Sequence, residues 1–101
     1  MIKKKYLKSR PICKVTFRLP KKAAKSAETV HLVGEFNHWD TTATPMKKLK
    51  SGDFTVTLDL GIKQEYQFRY LIDKTDWENA WSADKYSPSP VGNVENSVIV
   101  V

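Results

Sequence analysis

The chain has one cysteine, two histidines and four glycines in 101 residues. With Cys13 alone, an internal disulfide is impossible, and a cytoplasmic setting is expected. His31 and His38 stand at no metal-ligand spacing with each other or with Cys13. There is no Gly-rich phosphate loop, nucleophile elbow or catalytic Cys–His signature. The chain is therefore expected to be no enzyme and to carry no metal and no cofactor. Asp40, Asp73, Asp76 and Asp84 lack the spacing of a calcium loop and read as turn residues that bond backbone. No apolar run approaches the roughly 20 residues of a membrane span. The basic start Met-Ile-Lys-Lys-Lys is followed by no apolar signal segment, so no membrane partner is expected.

Acidic residues are missing from one end. Residues 1–27 hold ten Lys/Arg and no Asp or Glu, whereas residues 28–101 hold seven Lys/Arg and eleven acids. The net charge of +6 thus belongs to the N-terminal part. Residues 1–10 read as a basic flexible arm that keeps the protein solvated, and residues 11–101 as a single domain. A basic arm is also the place where nucleic acid or an anionic surface would bind, through residues 3–25. The body has no basic stripe with interleaved aromatics, so nucleic acid is not the expected partner.

Long helical patterns are absent too. Cys13, Val15, Phe17 and Leu19 alternate with polar residues as a half-buried strand does. Pro20 to Ala27 is a polar connector whose Lys-Lys-Ala-Ala-Lys suffices for one helical turn. Val30, Leu32, Gly34 and Phe36 form the next inward set. Ser51-Gly52-Asp53 signals a turn between Met46–Leu49 and a strand with Phe54, Val56, Leu58 and Leu60 facing in. Tyr66, Phe68, Tyr70 and Ile72 face in on the most regular strand, with Gln67, Arg69 and Leu71 on its other side. Asp73-Lys-Thr-Asp76 is a tight turn, Pro88, Pro90 and Gly92 mark an irregular loop, and Ser97–Val101 is a last strand. Six or seven short strands with turns between them make an all-β, antiparallel β-sandwich.

Three tryptophans stand at strand–turn junctions, where each is either a core plug or a flat platform. If residues 77–81 are extended, Trp77, Asn79 and Trp81 share one face. Indoles, the outward Arg69 and amides on one face suit a sugar: the CH-rich face of a pyranose packs on an aromatic ring, and its hydroxyls need fixed donors and acceptors.

The run Val-x-Leu-x-Gly-x-Phe-Asn-x-Trp-Asp at 30–40 resembles the signature of carbohydrate-binding module family 48, the isoamylase N-terminal or early-set domain. Tyr-x-Phe-Arg-Tyr-Leu-Ile-Asp at 66–73 is similar to the family's second motif. Trp-Glu-Asn-x-Trp-x-Ala-Asp-x-Tyr at 77–86 and Glu-Asn-Ser-Val at 95–98 resemble its closing segments. The four motifs run in order over roughly residues 12–101.

The resemblance implies an immunoglobulin-like (early-set) sandwich, similar to the glycogen-binding domain of the AMP-activated protein kinase β subunit. It implies non-catalytic binding of an α-1,4-glucan oligosaccharide or polysaccharide of the glycogen or starch type. Trp39 takes the place of the family's stacking tryptophan, and Arg69 that of a lysine that bonds sugar hydroxyls. Trp77 and Trp81 compete for a second stacking position. Trp77 follows the turn directly, while Trp81 keeps a Trp-x-x-Asp pattern through Asp84 and is preferred. The family's sugar-binding asparagine falls at Glu95 or at its neighbour Asn96. The expected carbohydrate-binding set is thus Trp39, Arg69, Trp77, Trp81 and Asn96. The alternative is a protein-interaction or regulatory module of the same fold with a decayed glycan site, docking a glycogen-metabolism enzyme or regulator.

Overall fold

The computed structural model describes residues 2–89 and 94–101. Pro90 and Gly92 of the expected loop lie outside the described residues. Among the described residues nine strands form two antiparallel sheets. In chain order they are β1 (Ile2–Tyr6), β2 (Ile12–Leu19), β3 (Val30–Gly34), β4 (Lys47–Lys48), β5 (Phe54–Gly61), β6 (Glu65–Ile72), β7 (Asp76–Glu78), β8 (Lys85–Pro88) and β9 (Glu95–Val100). One sheet has the order β1-β2-β5-β4, the other β3-β6-β9-β8, with β7 also paired to β6.

The inward sets read from the alternation fill the space between the sheets. Cys13, Val15, Phe17 and Leu19 of β2 are fully covered, as are Phe54 of β5 and Phe68 and Tyr70 of β6. Phe17 meets Phe68 edge-on with ring centroids 5.1 Å apart, and Phe68 meets Tyr70 at 5.8 Å. Val56 and Leu58 are only partly buried against this core. The single-turn helix α1 (Lys21–Ala24) caps one end, with Ala23 and Ala24 buried.

The arm expected over residues 1–10 is different. Residues 2–6 are an edge strand, with Ile2 opposite Phe17 and Tyr6 opposite Cys13. Ile2 packs on the core, and Lys4 Nζ reaches Asp84, directly before β8 of the other sheet, at 2.7 Å. Three successive lysines hide this strand in the sequence, because lysine is depleted in strands. What recruits them is the open backbone of β2, which pattern along residues 1–10 cannot show. Asp84 loses solvation by burial, but the Lys4 ammonium and the Val100 amide outweigh that and hold its carboxyl below its ordinary range. Deleting residues 1–7 should therefore destabilise the fold by about 2 kcal/mol, from lost Ile2 burial and one partly exposed ion pair. Differential scanning calorimetry would show a thermal midpoint lower by about 10 °C. An unchanged midpoint would restore the flexible arm.

The second sheet positions the candidate site. Strand β6 is paired with β3 along Phe68–Ile72. Its other edge is shared: β9 takes Glu65–Phe68 and β7 takes Tyr70–Ile72. Arg69 sits where one partner hands over to the other.

Candidate functional site

The face of the second sheet that looks away from the core follows from the register. Leu71 is opposite Trp77, Arg69 opposite Val33, and Gln67 opposite Val98. Partners in an antiparallel pair share a side, and so do residues two apart. Trp77, Arg69, Gln67, Val33 and Asn96 therefore share the outer face, while Glu95, the alternative to Asn96, has the opposite parity. Val33, Leu71 and Val98 are buried on this face as well, so it carries an apolar layer of its own.

Arg69 and Trp77 meet there. The guanidinium carbon lies 5.2 Å from the centre of the indole, within cation–π range. The Arg69 Nε is buried and has no hydrogen-bond partner among the described residues. Stacking on the ring fixes a planar set of donors, and the indole remains 46% exposed.

Trp39 is set by a separate device at the end of β3. Gly34 approaches β6 so closely that a Cβ there would lie 2.6 Å from the Gln67 carbonyl oxygen and 2.7 Å from Phe68 Cβ. Beyond it Glu35–Asn37 makes one 3-10 turn. Asn37 ties this turn down. Its Oδ1 accepts from the Gly34 amide at 3.0 Å, and its Nδ2 donates to Leu32 O at 2.8 Å and to Thr44 Oγ1 at 3.0 Å. Glu35 Oε1 accepts from the Gln67 amide at 2.6 Å, the first amide of β6 beyond the end of β3. His38 and Trp39 then both take φ of 58°, and the Trp39 amide donates to Gly34 O at 2.8 Å. This backbone turns the indole out of the sandwich, and Trp39 is 36% exposed. Asp40 closes the turn by accepting from the Thr42 amide and hydroxyl, which hold its carboxyl below its usual range.

The other expected residues are placed differently. Asn96 lies on the platform's face but is only 2% exposed. Its Nδ2 donates to Gln67 Oε1 at 2.9 Å, and its Oδ1 is buried without a partner. Residues 77–81 are not one extended strand, because β7 ends at Glu78. Asn79 leaves the expected shared face: it donates to Glu95 O at 2.8 Å and accepts from the buried Ser97 hydroxyl at 2.7 Å. Trp81 follows in a turn, 58% exposed, with no ring contact to Arg69 or Trp77. Glu35, Asn37 and Gln67 are supports that sequence reading missed. Asn37 had a signal in the Gly-x-Phe-Asn run, whereas Glu35 and Gln67 had none.

The profile of carbohydrate-binding module 48 (isoamylase N-terminal domain) matches residues 14–87. The chain belongs to carbohydrate-binding module family 48. Over 64 residues the module is 34% identical to the 1,4-alpha-glucan branching enzyme GlgB of Butyrivibrio fibrisolvens. That stretch is 63% of the module and 10% of the enzyme, so the chain spans about a tenth of this relative's length. The two antiparallel sheets are the family's all-β early-set sandwich. Among the described residues no three His, Cys, Asp or Glu side chains are grouped to hold a metal. Nor is any helix there long and apolar enough to cross a membrane.

Proposed function

We propose that this module binds α-1,4-glucan without catalysis, through a shallow platform made by Trp39, Arg69 and Trp77, with Asn96 in its floor. The observation that carries this reading is the exposed Trp77 indole with the Arg69 guanidinium held over it at 5.2 Å. A glucose unit stacks on the free area of the ring, and the guanidinium donates to its hydroxyls. The partnerless Asn96 Oδ1 is an acceptor that a sugar hydroxyl reaching the floor would satisfy. Trp77 is the second stacking residue in this reading, and Trp81 is peripheral. The choice of glucan follows the similar enzyme, a 1,4-alpha-glucan branching enzyme, and the module acts beside the chemistry rather than in it.

Stacking and a few exposed hydrogen bonds leave a small surplus after ordering costs, so Kd for a short glucan is on the order of 0.1–1 mM. Titrating the ¹⁵N-labelled protein with maltoheptaose tests this. Shifts should cluster at residues 33–40, 67–71 and 77, and Arg69→Ala should weaken binding about tenfold. If the folded protein shows no shifts at roughly ten times that range of concentration, the glucan reading fails.

One observation favours the second reading, a protein-interaction module with a decayed site: the near-complete burial of Asn96 withdraws a sugar-bonding group from the surface. In that reading the same face docks a glycogen-metabolism enzyme or regulator, and maltoheptaose produces no shifts.

A further inference from the structure

Two hollows lie side by side at the end of the sandwich capped by α1. One, of about 520 Å³, is walled by Trp77, Asp73, Asp76 and Glu78, together with Lys25 and Ser26. The other, of about 640 Å³, contains five lysines, Lys21, Lys22, Lys25, Lys48 and Lys50, and no acid. Lys25 and Ser26 line both. Trp77 borders the first hollow from β7, while Asp76 and Glu78 have the opposite parity on that strand, so a ligand on the Arg69 side of the indole reaches the lysines by passing the edge of β7 and then that shared wall.

The lysines come from two segments brought together by the fold, the α1 turn and the β4–β5 turn. Lys48 is fixed, with Nζ donating to Ala27 O at 3.1 Å and lying 5.8 Å from the centre of the Phe54 ring. Lys21, Lys22, Lys25 and Lys50 have no side-chain hydrogen bond or ion pair among the described residues. The acid at the end of the same turn does not neutralise them. Asp53 is held by the Lys21 amide at 2.8 Å and by Arg18 at 2.9 Å. Gly52 makes room, with φ of 94° and the Lys21 side chain lying across it, 2.8 Å from where a Cβ would stand.

Like charges gathered in a concave site repel one another and favour an anion that can accept from several ammonium groups at once. We propose that the lysine hollow is an anion subsite that takes a phosphate monoester carried on the glucan lying on Trp77. This rests on the glucan reading. The adjoining hollow explains the orientation: its three carboxylates repel a phosphate and suit neutral hydroxyls, while the lysines do the reverse. A nucleic-acid track fits less well. The other lysine group, Lys3, Lys4 and Lys5, is on β1, at the opposite edge of its sheet from β4. Between them Lys14 and Arg18 are paired with Asp59 and Asp53 and the aromatics Phe17 and Phe54 are buried, so no exposed aromatic links the two groups.

The test compares four probes at low salt by chemical-shift titration. They are inorganic phosphate, maltoheptaose, phosphate-bearing oligosaccharides cut from amylopectin, and the same oligosaccharides after phosphatase treatment. The proposal expects the phosphorylated oligosaccharides to bind about tenfold tighter than the treated ones, with added shifts at residues 21–26 and 48–52. A Lys22→Gln/Lys25→Gln/Lys50→Gln variant should lose that difference and keep the wild-type affinity for maltoheptaose. All three substitutions are at exposed positions, so the variant should fold. Equal binding of treated and untreated oligosaccharides, or a difference that survives in the variant, overturns the proposal. Phosphate shifts at the lysines with no response to maltoheptaose would break the glucan reading and the link to it, leaving a free-phosphate site. Retention on immobilised polyglutamate, without preference for the phosphorylated sugar, would overturn it in favour of an acidic protein partner.

Discussion

Changing Gly34 to alanine is expected to destabilise the module by about 3 kcal/mol. The glycine is extended, with φ of −171°, so backbone freedom is not the reason. Space is. The added Cβ would meet the Gln67 carbonyl oxygen and Phe68 Cβ, at 2.6 and 2.7 Å. Both belong to, or are bonded directly to, the backbone of β6. Neither can rotate away, so relief requires β3 and β6 to separate. Overpacking of this kind costs about 1–3 kcal/mol and sometimes more. The separation would also pull the Asn37 and Glu35 contacts out of reach and release the turn that carries Trp39. Urea unfolding measures the loss, and a change below about 1 kcal/mol would show that the two strands slide apart easily.

The second large effect concerns binding rather than stability. Trp39→Ala and Trp77→Ala should each weaken maltoheptaose binding at least about tenfold, while unfolding free energy falls by less than about 1.5 kcal/mol. A core tryptophan behaves differently, because its removal leaves a cavity and costs about 3–5 kcal/mol. The inner face is already filled by Phe17, Phe54, Phe68 and Tyr70, all about 1% exposed or less. Trp81→Ala, lacking the Arg69 contact, should leave binding within about twofold. If Trp81→Ala abolishes binding and Trp77→Ala does not, the second stacking residue has been assigned to the wrong side of β7.

Period-2 alternation made most of the sandwich readable, because only the inner face is deeply buried in β2, and in β6 every outer-face residue except Leu71 stays partly open. It failed at β1, where each residue's partner lies seven to fifteen positions further along the chain and the local sequence is lysine. At β3 it found the inward Val30, Leu32 and Gly34 but not the burial of His31 and Val33 between them, since all five residues are covered. Thr44 and Met46 bond to one edge of that strand, β6 to the other, and its outer side is covered as well. Among the candidate residues, the pairing of Arg69 with Trp77 was open until the Leu71–Trp77 register was known. Nothing short of that register separates Trp77 from Trp81. The burial of Asn96 was illegible for the same reason, since it depends on a bond to Gln67 across the sheet. The lysine hollow was divided between a connector and a turn that are far apart in sequence.

The inward-pointing Lys4 bears on how the module behaves when crowded. The outer edge of β1 presents unpaired backbone groups, an invitation for another copy to add a strand. Lys4 occupies an inner-face position in the middle of that edge and is neutralised by Asp84. A copy adding a strand there would have to bury both copies' inward-facing Lys4–Asp84 pairs at the seam, a desolvation cost that apolar edge residues would not carry. Self-addition is thereby penalised, so copies brought to high local concentration are kept from fusing into a shared sheet.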